Sequence, residues 1–287
     1  MHLRVGNRTF APGEHAVMAI VNRTPDSFYD GGAHPTVADA LATVQRAVID
    51  GADLVDIGGV RAGYGAAVEV EEELRRVLPV VIAVRERFAT LPISVDTWRA
   101  EVADQVLAAG ADLVNDTWAG ADPNLPAVAA RHGAALVCSH TGGLGPRTDP
   151  HRVEYHDVTA DVIDTVTAAA RRAVTAGVRR DGILIDPTHD FGKNTWHSLQ
   201  LTRRLHELVA TGWPVLVALS RKDFIGETLD LPAAERLDGT LAATAICAWH
   251  GARVFRTHDV LATRRVLDMV ASISGTRPPA VARRGLA

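Results

Sequence analysis

The sequence predicts a single (β/α)8 barrel preceded by a short β-hairpin, and three observations carry that prediction. From His15 onward, short runs rich in Val, Ile and Leu recur, each ending in polar residues and each followed by an amphipathic helical stretch. The runs are almost continuously apolar, which marks strands buried on both faces of a sheet and therefore parallel. Eight such units fill about 250 residues, the span of a closed barrel rather than an open sheet. Strands are expected at 15–22, 54–59, 92–97, 113–118, 135–140, 183–187, 214–220 and 253–257, and helices at 37–51, 69–88, 99–109, 124–132, 158–176, 195–211, 239–250 and 261–274. No Gly-, Pro- or Ser-rich linker interrupts the array, so the 287 residues are read as one domain with its core at 15–274.

Residues 3–10 read Leu-Arg-Val-Gly-Asn-Arg-Thr-Phe and alternate around Gly6-Asn7, the pattern of a hairpin that plugs or borders one end of the barrel. The first barrel strand stops at Asn22. Thr24-Pro25-Asp26-Ser27 then makes a turn that closes on Gly31-Gly32. A strand end crowded with Asn, Thr, Asp and Ser is costly to bury without partners, so this stretch is either a ligand loop or a well-satisfied turn. Beyond Ser274, a tail carrying Pro278-Pro279 and Arg283-Arg284 is expected to be disordered over 275–287.

Composition narrows the function classes. A chain 47% hydrophobic and 22% charged is ordinary for a soluble globular protein. No apolar run approaches the roughly 18 residues of a membrane span, and Met1-His-Leu-Arg-Val lacks the apolar centre of a signal peptide. A net charge of −4 with no basic block gives nucleic acid no footprint. Cys138 and Cys247 fall in apolar segments and read as reduced core residues of a cytoplasmic protein. Of 30 basic residues only Lys193 and Lys222 are lysines. In a chain that otherwise uses Arg, these two mark loops where a compact point charge suits better than a planar fork.

A barrel of this kind places its chemistry at the C-terminal ends of the strands. Those ends carry Asn22, Asp56, Asp96, Asn115-Asp116, His140, Asp186, Ser220-Arg221-Lys222 and Arg256-Thr257-His258. Any one of them could be a helix cap; their convergence on one mouth is harder to explain that way. Asp96, Asn115 and Asp186 suit a planar heterocycle with adjacent N–H donors, a pterin or purine edge. Lys222, Arg256 and His258 follow strands seven and eight, the usual phosphate position, and His258-Asp259-Val260 opens a helix whose amides favour anions. Asn22 offers a neutral oxygen to Mg²⁺, which commonly bridges phosphates. There is no zinc motif, nucleophile elbow or Walker loop, and His197 and His206 read as surface residues.

These residues, in this order and spacing, resemble the dihydropteroate synthases over about 15–274. The resemblance rests on Asn22-Arg-Thr-Pro-Asp-Ser-Phe with Gly31-Gly32, Asp56-Ile-Gly-Gly, Ser94-Val-Asp-Thr, Asn115-Asp116, Asp186-Pro187 with Phe191-Gly-Lys, Ser220-Arg-Lys, Phe224-Ile-Gly and Arg256-Thr-His-Asp-Val. That family condenses a dihydropterin diphosphate with p-aminobenzoate and releases pyrophosphate, by holding the ring and stabilising the leaving group with preorganised charge and Mg²⁺. The resemblance implies that Asp96, Asn115, Asp186 and Lys222 bind the pterin, that Arg256 and His258 hold the diphosphate, and that Asn22 faces the metal. It implies no covalent nucleophile, and a homodimer built on barrel helices.

The chain departs from the family pattern at one place above others. Where the family's second loop reads Glu-Ser-Thr-Arg-Pro-Gly, this chain has Val60, Arg61, Ala62, Gly63, Tyr64 and Gly65, with the register unchanged. The diphosphate-side Thr and Arg and the Pro that frames the p-aminobenzoate pocket are thus replaced, not deleted. Losing one charge-assisted contact costs about 1.5–3 kcal/mol. Thr188 and Asp190 stand where the family often has Gly, Ala218 replaces another Gly, Ser139 replaces a common Met, and Asp223 replaces a Ser. Arg23 and Arg61 read as solvated, although either would restore the lost charge if it turned inward. The expectation is a homologue that keeps the pterin floor and has lost much or all of its synthase activity, with an active synthase as the alternative. Residual binding of sulfone-type ligands beside Lys222 and Phe191 would go with the first reading.

Overall fold

Alternation along each strand fixes where the core ends and the site begins. The structure, a computed structural model, describes residues 1–22, 36–61, 63–148 and 154–284. Strands β1 (Leu3–Val5) and β2 (Arg8–Phe10) form the hairpin, paired antiparallel as Leu3 with Phe10 and Val5 with Arg8. The barrel strands are β3 (Ala16–Asn22), β4 (Leu54–Gly58), β5 (Ile93–Asp96), β6 (Leu113–Asp116), β7 (Ala135–Cys138), β8 (Ile183–Ile185), β9 (Leu216–Ala218) and β10 (Val254–Thr257). All pair in parallel in the order β8-β7-β6-β5-β4-β3-β10-β9, and a parallel bridge between Ile185 and Val215 joins the two ends. The eight strands therefore close a barrel, as the pattern predicts.

Side chains two apart on a strand share a face. On the inner faces the lower members are apolar and the upper ones polar: Leu54 and Asp56, Leu113 and Asn115, Leu184 and Asp186, Val254 and Arg256. The lower layer packs on the hairpin, whose Leu3, Val5 and Phe10 are buried against Met18, Leu54, Leu113, Leu184, Leu216 and Val254. The hairpin is thus the plug of the barrel's N-terminal end. Arg253 fastens it, donating to the carbonyl oxygens of Met1 (3.1 Å), Ala11 (2.5 Å) and Glu14 (2.9 Å). Outward residues such as Val17, Ala19, Val55 and Ile57 join the helices in the larger core.

The helices are α1 (Val37–Ile49), α2 (Val70–Arg87), α3 (Ala100–Ala108), α4 (Leu125–Arg131), α5 (Val158–Thr175), α6 (Thr195–Arg203), α7 (Leu205–Val209), α8 (Asp223–Leu229), α9 (Leu237–Trp249) and α10 (Val260–Ile273). Two details differ from the sequence reading. The expected helix at 195–211 divides at Arg204 (φ −102°, ψ 17°), whose guanidinium bonds Asp157 and Glu207. The stretch read as a connection before 239 contains α8, seven residues long and too short for periodicity to reveal. Among the described residues no helix is long and apolar enough to cross a membrane. Cys138 and Cys247 are free and buried, and residues 275–284 run exposed past α10.

Phe10 fills the plug. Phe10→Ala is expected to cost about 3–5 kcal/mol, read as a lower urea midpoint; a loss below 1 kcal/mol would show that the barrel end does not need it.

Candidate functional site

The polar upper layer meets on one carboxylate. Asp56, on β4, is wholly buried. Its Oδ1 accepts from Ser94 Oγ (2.5 Å), and its Oδ2 accepts from Asn115 Nδ2 (3.1 Å) and Arg256 Nε (2.5 Å). Arg256 reaches across from β10 and also donates through Nη2 to Asp96 Oδ2 (3.0 Å), while Thr117 Oγ1 donates to Asp96 Oδ1 (2.8 Å). Burial pushes the Asp96 carboxyl up to about 7, although the Arg256 guanidinium pulls it back. Burial opposes the charge of Arg256, and Asp56 and Asp96 more than offset it, holding that group above its usual value. The floor of the mouth is a guanidinium seated between two carboxylates with an amide beside them.

The wall comes from the turn after β8. Asp186 accepts from Thr188 N (2.7 Å), and burial raises its carboxyl against the pull of Lys222. Thr188 (φ +52°) and Asp190 (φ +71°) occupy left-handed backbone positions, where non-glycine residues are strained. That is the physical reason glycine is common at these positions in the family. Here side chains compensate: Thr188 Oγ1 donates to Asp186 O (3.0 Å) and accepts from His140 N (3.1 Å), while Asp190 accepts from Ser198 Oγ (2.9 Å) and Phe224 N (3.3 Å). Gly192 (φ +60°) has no such latitude, because a Cβ would lie 2.2 Å from Thr141 O.

Both lysines serve this turn. Lys222 donates to the His189 carbonyl and lies over the Phe191 ring (5.2 Å). Burial lowers its pKa, opposed by Asp190 and Asp186. Lys193 is 2% exposed and reaches His140 Nδ1 (2.8 Å) and the carbonyls of Thr188 (3.1 Å) and Phe191 (2.7 Å). His140 Nε2 in turn pairs with Asp161 (2.7 Å); burial first, and Lys193 second, lower His140 to about 4. With Lys193 donating to Nδ1, the neutral ring carries its proton on Nε2. An edge-to-face series of Trp98, Trp118 and Phe191 (6.4 and 5.4 Å) completes the wall.

At the rim, Arg221 forks onto Asp259 (3.0 Å twice). His258 Nδ1 meets Ser220 Oγ (3.0 Å), and burial with Arg256 nearby lowers its pKa to about 4, so it is neutral near pH 7. Asn22 ends β3 with Oδ1 beside Gly58. Of the replaced second loop, Val60 is buried, Arg61 is exposed, Tyr64 is 77% exposed, and Gly63 and Gly65 hold positive φ. Ala62 and Arg23 lie outside the described residues, as does the turn at 24–32. Arg147 crosses from the β7–α5 connection and donates to the carbonyls of Arg61 (2.5 Å) and Ala66 (3.0 Å). Gly59 lets α2 approach: a Cβ there would lie 2.7 Å from Val77 Cγ1.

The structure thus gathers Asp96, Asn115 and Arg256 around Asp56, and sets Asp186 with Lys222 on the adjoining wall. Arg256 lies in the floor rather than standing out at the rim. Sequence reasoning placed Asp56 and His140 at strand ends and marked Lys193 without giving them roles or joining Lys193 to His140 and Asp161, and it did not find Thr117 or Arg147. The inner-face alternation of β4 would have found Asp56. The others depend on loop conformation. Among the described residues no three or more His, Cys, Asp or Glu side chains are grouped to hold a metal. Cys138 is no nucleophile, since burial pushes its thiol up to about 12.

A buried polar floor suited to a heterocycle edge, at the C-terminal mouth of a (β/α)8 barrel, defines a ring-binding barrel. Residues 18–258 match the pterin binding enzyme family, and the chain belongs to it. It is 59% identical over 284 residues to a Mycobacterium leprae protein named inactive dihydropteroate synthase 2, covering 98% of each chain. It is 40% identical over 255 residues to the Escherichia coli dihydropteroate synthase, covering 88% of this chain and 90% of that one. The Yersinia pestis dihydropteroate synthase, solved with a sulfonamide drug, superposes with a TM-score of 0.90 at 37% identity, covering 96% of this chain and 100% of the other.

His258 gives the site a pH signature. Its pKa is below the unfolded value of about 6.5, so its stabilising contribution is present above that pH and is lost as pH falls toward about 4. His258→Asn is expected to remove up to about 3 kcal/mol of acid sensitivity between these limits. Parallel urea curves for the two proteins at pH 7 and pH 4.5 check it; equal losses would show that the imidazole titrates normally.

Proposed function

We propose that this chain is a dihydropteroate synthase homologue that retains a pterin-binding floor and has lost all or most of its synthase activity. The observation that carries the reading is the second loop: its Ser-Thr-Arg-Pro core is replaced by Arg61, Ala62, Gly63 and Tyr64, with Tyr64 turned to solvent. The likeness to a protein named inactive dihydropteroate synthase 2 supports it. In the proposed complex, Asp96, Asn115, Asp186 and Lys222 address the ring, Arg256 and His258 face the diphosphate end, and Phe191 with Lys222 flanks the aryl side. The leaving diphosphate gains negative charge as the bond breaks and needs it stabilised, and the loop residues that would have supplied part of that stabilisation are replaced. Asn22 offers Mg²⁺ one neutral oxygen. The described donor set fits that ion only where phosphate oxygens supply the rest.

The chain is expected not to restore growth of a synthase-deficient strain without added folate products. Growth at the wild-type rate would instead establish an active synthase, the reading that the 40% identity to the E. coli enzyme favours. Restoring the loop with Val60→Glu, Arg61→Ser, Ala62→Thr, Gly63→Arg and Tyr64→Pro should tighten dihydropterin diphosphate about ten- to a hundredfold in a calorimetric titration. No change would move the lesion to Asp190 and Ala218.

The same reading includes a cytoplasmic homodimer, consistent with two free, buried cysteines. Helices α9 and α10 pack side by side and leave Ile246, Trp249, Met269 and Ile273 exposed (47–62%), an apolar face suited to a second copy of the chain. Trp249→Glu should shift sedimentation toward the monomer; an unshifted dimer would place the interface elsewhere.

A further inference from the structure

The turn after β8 closes on a buried ammonium. Lys193 Nζ lies within hydrogen-bond distance of the carbonyls of Thr188 (3.1 Å), Phe191 (2.7 Å) and His140 (3.1 Å) and of His140 Nδ1 (2.8 Å). An ammonium has three N–H donors and no acceptor, so these four partners take all it has. Burying such a charge is costly unless it is fully met; Met or Leu would fill the same space at less cost. Lys193 thus ties both ends of a turn with left-handed Thr188, Asp190 and Gly192 to the residue just past β7. The same turn carries groups assigned to the ring. Thr188 donates to Asp186 through N (2.7 Å) and Oγ1 (3.0 Å), Lys222 donates to His189 O, and the Phe191 ring lies between Lys222 Nζ (5.2 Å) and Trp118 (5.4 Å). Behind it, His140 Nε2 pairs with Asp161 of α5 (2.7 Å), whose side chain is 51% exposed, and Tyr155 Oη donates to Gly192 O (2.7 Å).

We infer that Lys193 is a positioning residue for the ring-binding wall: it holds Asp186, Phe191 and Lys222 in the arrangement that receives a dihydropterin, and His140 with Asp161 holds Lys193. This rests on the pterin reading above. Lys193 acts without touching the ring, because its donors are spent on the turn. Its bond to Thr188 O fixes the residue that orients Asp186, and its bond to Phe191 O fixes the residue whose ring lies under Lys222. A wall set before the ring arrives spares the ligand the cost of ordering it. Lysine suits the task where arginine does not, since a compact charge with rotatable donors fits converging carbonyls better than a planar fork. That accounts for a lysine here in a chain that otherwise uses arginine.

The test pairs calorimetric titration of the full chain at pH 7 with the dihydropterin alcohol and hydrogen exchange of the unliganded protein. Lys193→Met keeps the length of the side chain and removes its donors. It is expected to weaken the alcohol about tenfold. The hydrogen-bonded amides of Thr188, Asp190 and Phe191 should exchange about tenfold faster, while those of β3 to β6 stay within about twofold. A purely stabilising lysine would instead lower the urea midpoint and leave both the affinity and the exchange of the turn within about threefold, which overturns the inference. Asp161→Asn, at the half-exposed end of the series, decides the matter if Lys193→Met does not fold. A loss of affinity of about threefold with faster exchange at 188–191 supports the inference, and wild-type values in both overturn it. If the wild type itself does not bind the alcohol, the pterin reading fails and takes this inference with it, a result distinct from binding that the variants leave unchanged.

Discussion

One guanidinium sits where two buried carboxylates need it. Without Arg256, Asp56 and Asp96 would face each other inside the barrel with little water, an arrangement that costs several kcal/mol per uncompensated charge. Without them, Arg256 would be as poorly placed. The pair does not make the fold much more stable than apolar residues of the same size would, because desolvation consumes most of the attraction. It sets position instead. Asp56 takes its bond from Asn115 on the same oxygen that Arg256 uses, so four strands contribute to one rigid polar layer. A ring entering this mouth meets groups whose orientation is already decided.

The layer below is decided by the same alternation. Two residues down each strand the inner face becomes Leu54, Leu113, Leu184 and Val254, and the hairpin closes them off. One end of the barrel is a dry plug and the other a charged cup, separated by a single step of the strand repeat. Substitution in the lower layer acts on stability and substitution in the upper layer acts on recognition. Among the described residues, the departures Gly63, Tyr64, Asp190 and Ala218 fall at or above the upper layer. The fold has therefore been free to persist while the chemistry changed.

Most of the fold was legible because apolar strand runs and helical periodicity are local signals. Each barrel strand lies within the range read from the sequence, and the hairpin at Gly6-Asn7 is where the alternation puts it. The break at Arg204 and the seven-residue α8 were not legible, since one depends on a tertiary ion pair and the other is shorter than two helical turns. The floor was legible as a set of strand ends, and its partition into roles was not. Which carboxylate becomes the hub depends on which inner face it occupies relative to Arg256, two strands away around the barrel and 200 residues away in the chain. Lys193 shows both sides: its rarity drew attention to it, yet its position inside the turn, on His140 and three carbonyls, follows from loop conformation that no periodic pattern encodes. The left-handed Thr188 and Asp190 were visible as departures, and only the backbone angles give the reason that glycine is usual there.

The clasp at Arg253 has a consequence for the order of assembly. The hairpin precedes every barrel strand in the chain, and an isolated two-stranded hairpin is marginal in water. Its surfaces and its fastening come from strands spread over the whole chain, ending with β10 and the side chain that precedes it. The hairpin must therefore wait, with Leu3, Val5 and Phe10 uncovered, until Arg253 and β10 have emerged. Barrel closure and plug docking become a single late event joining residues about 240 apart in sequence, the kind of long-range closure that slows folding and exposes a nascent chain to association. In such a chain, what keeps the opening residues safe during synthesis is how soon the eighth strand arrives.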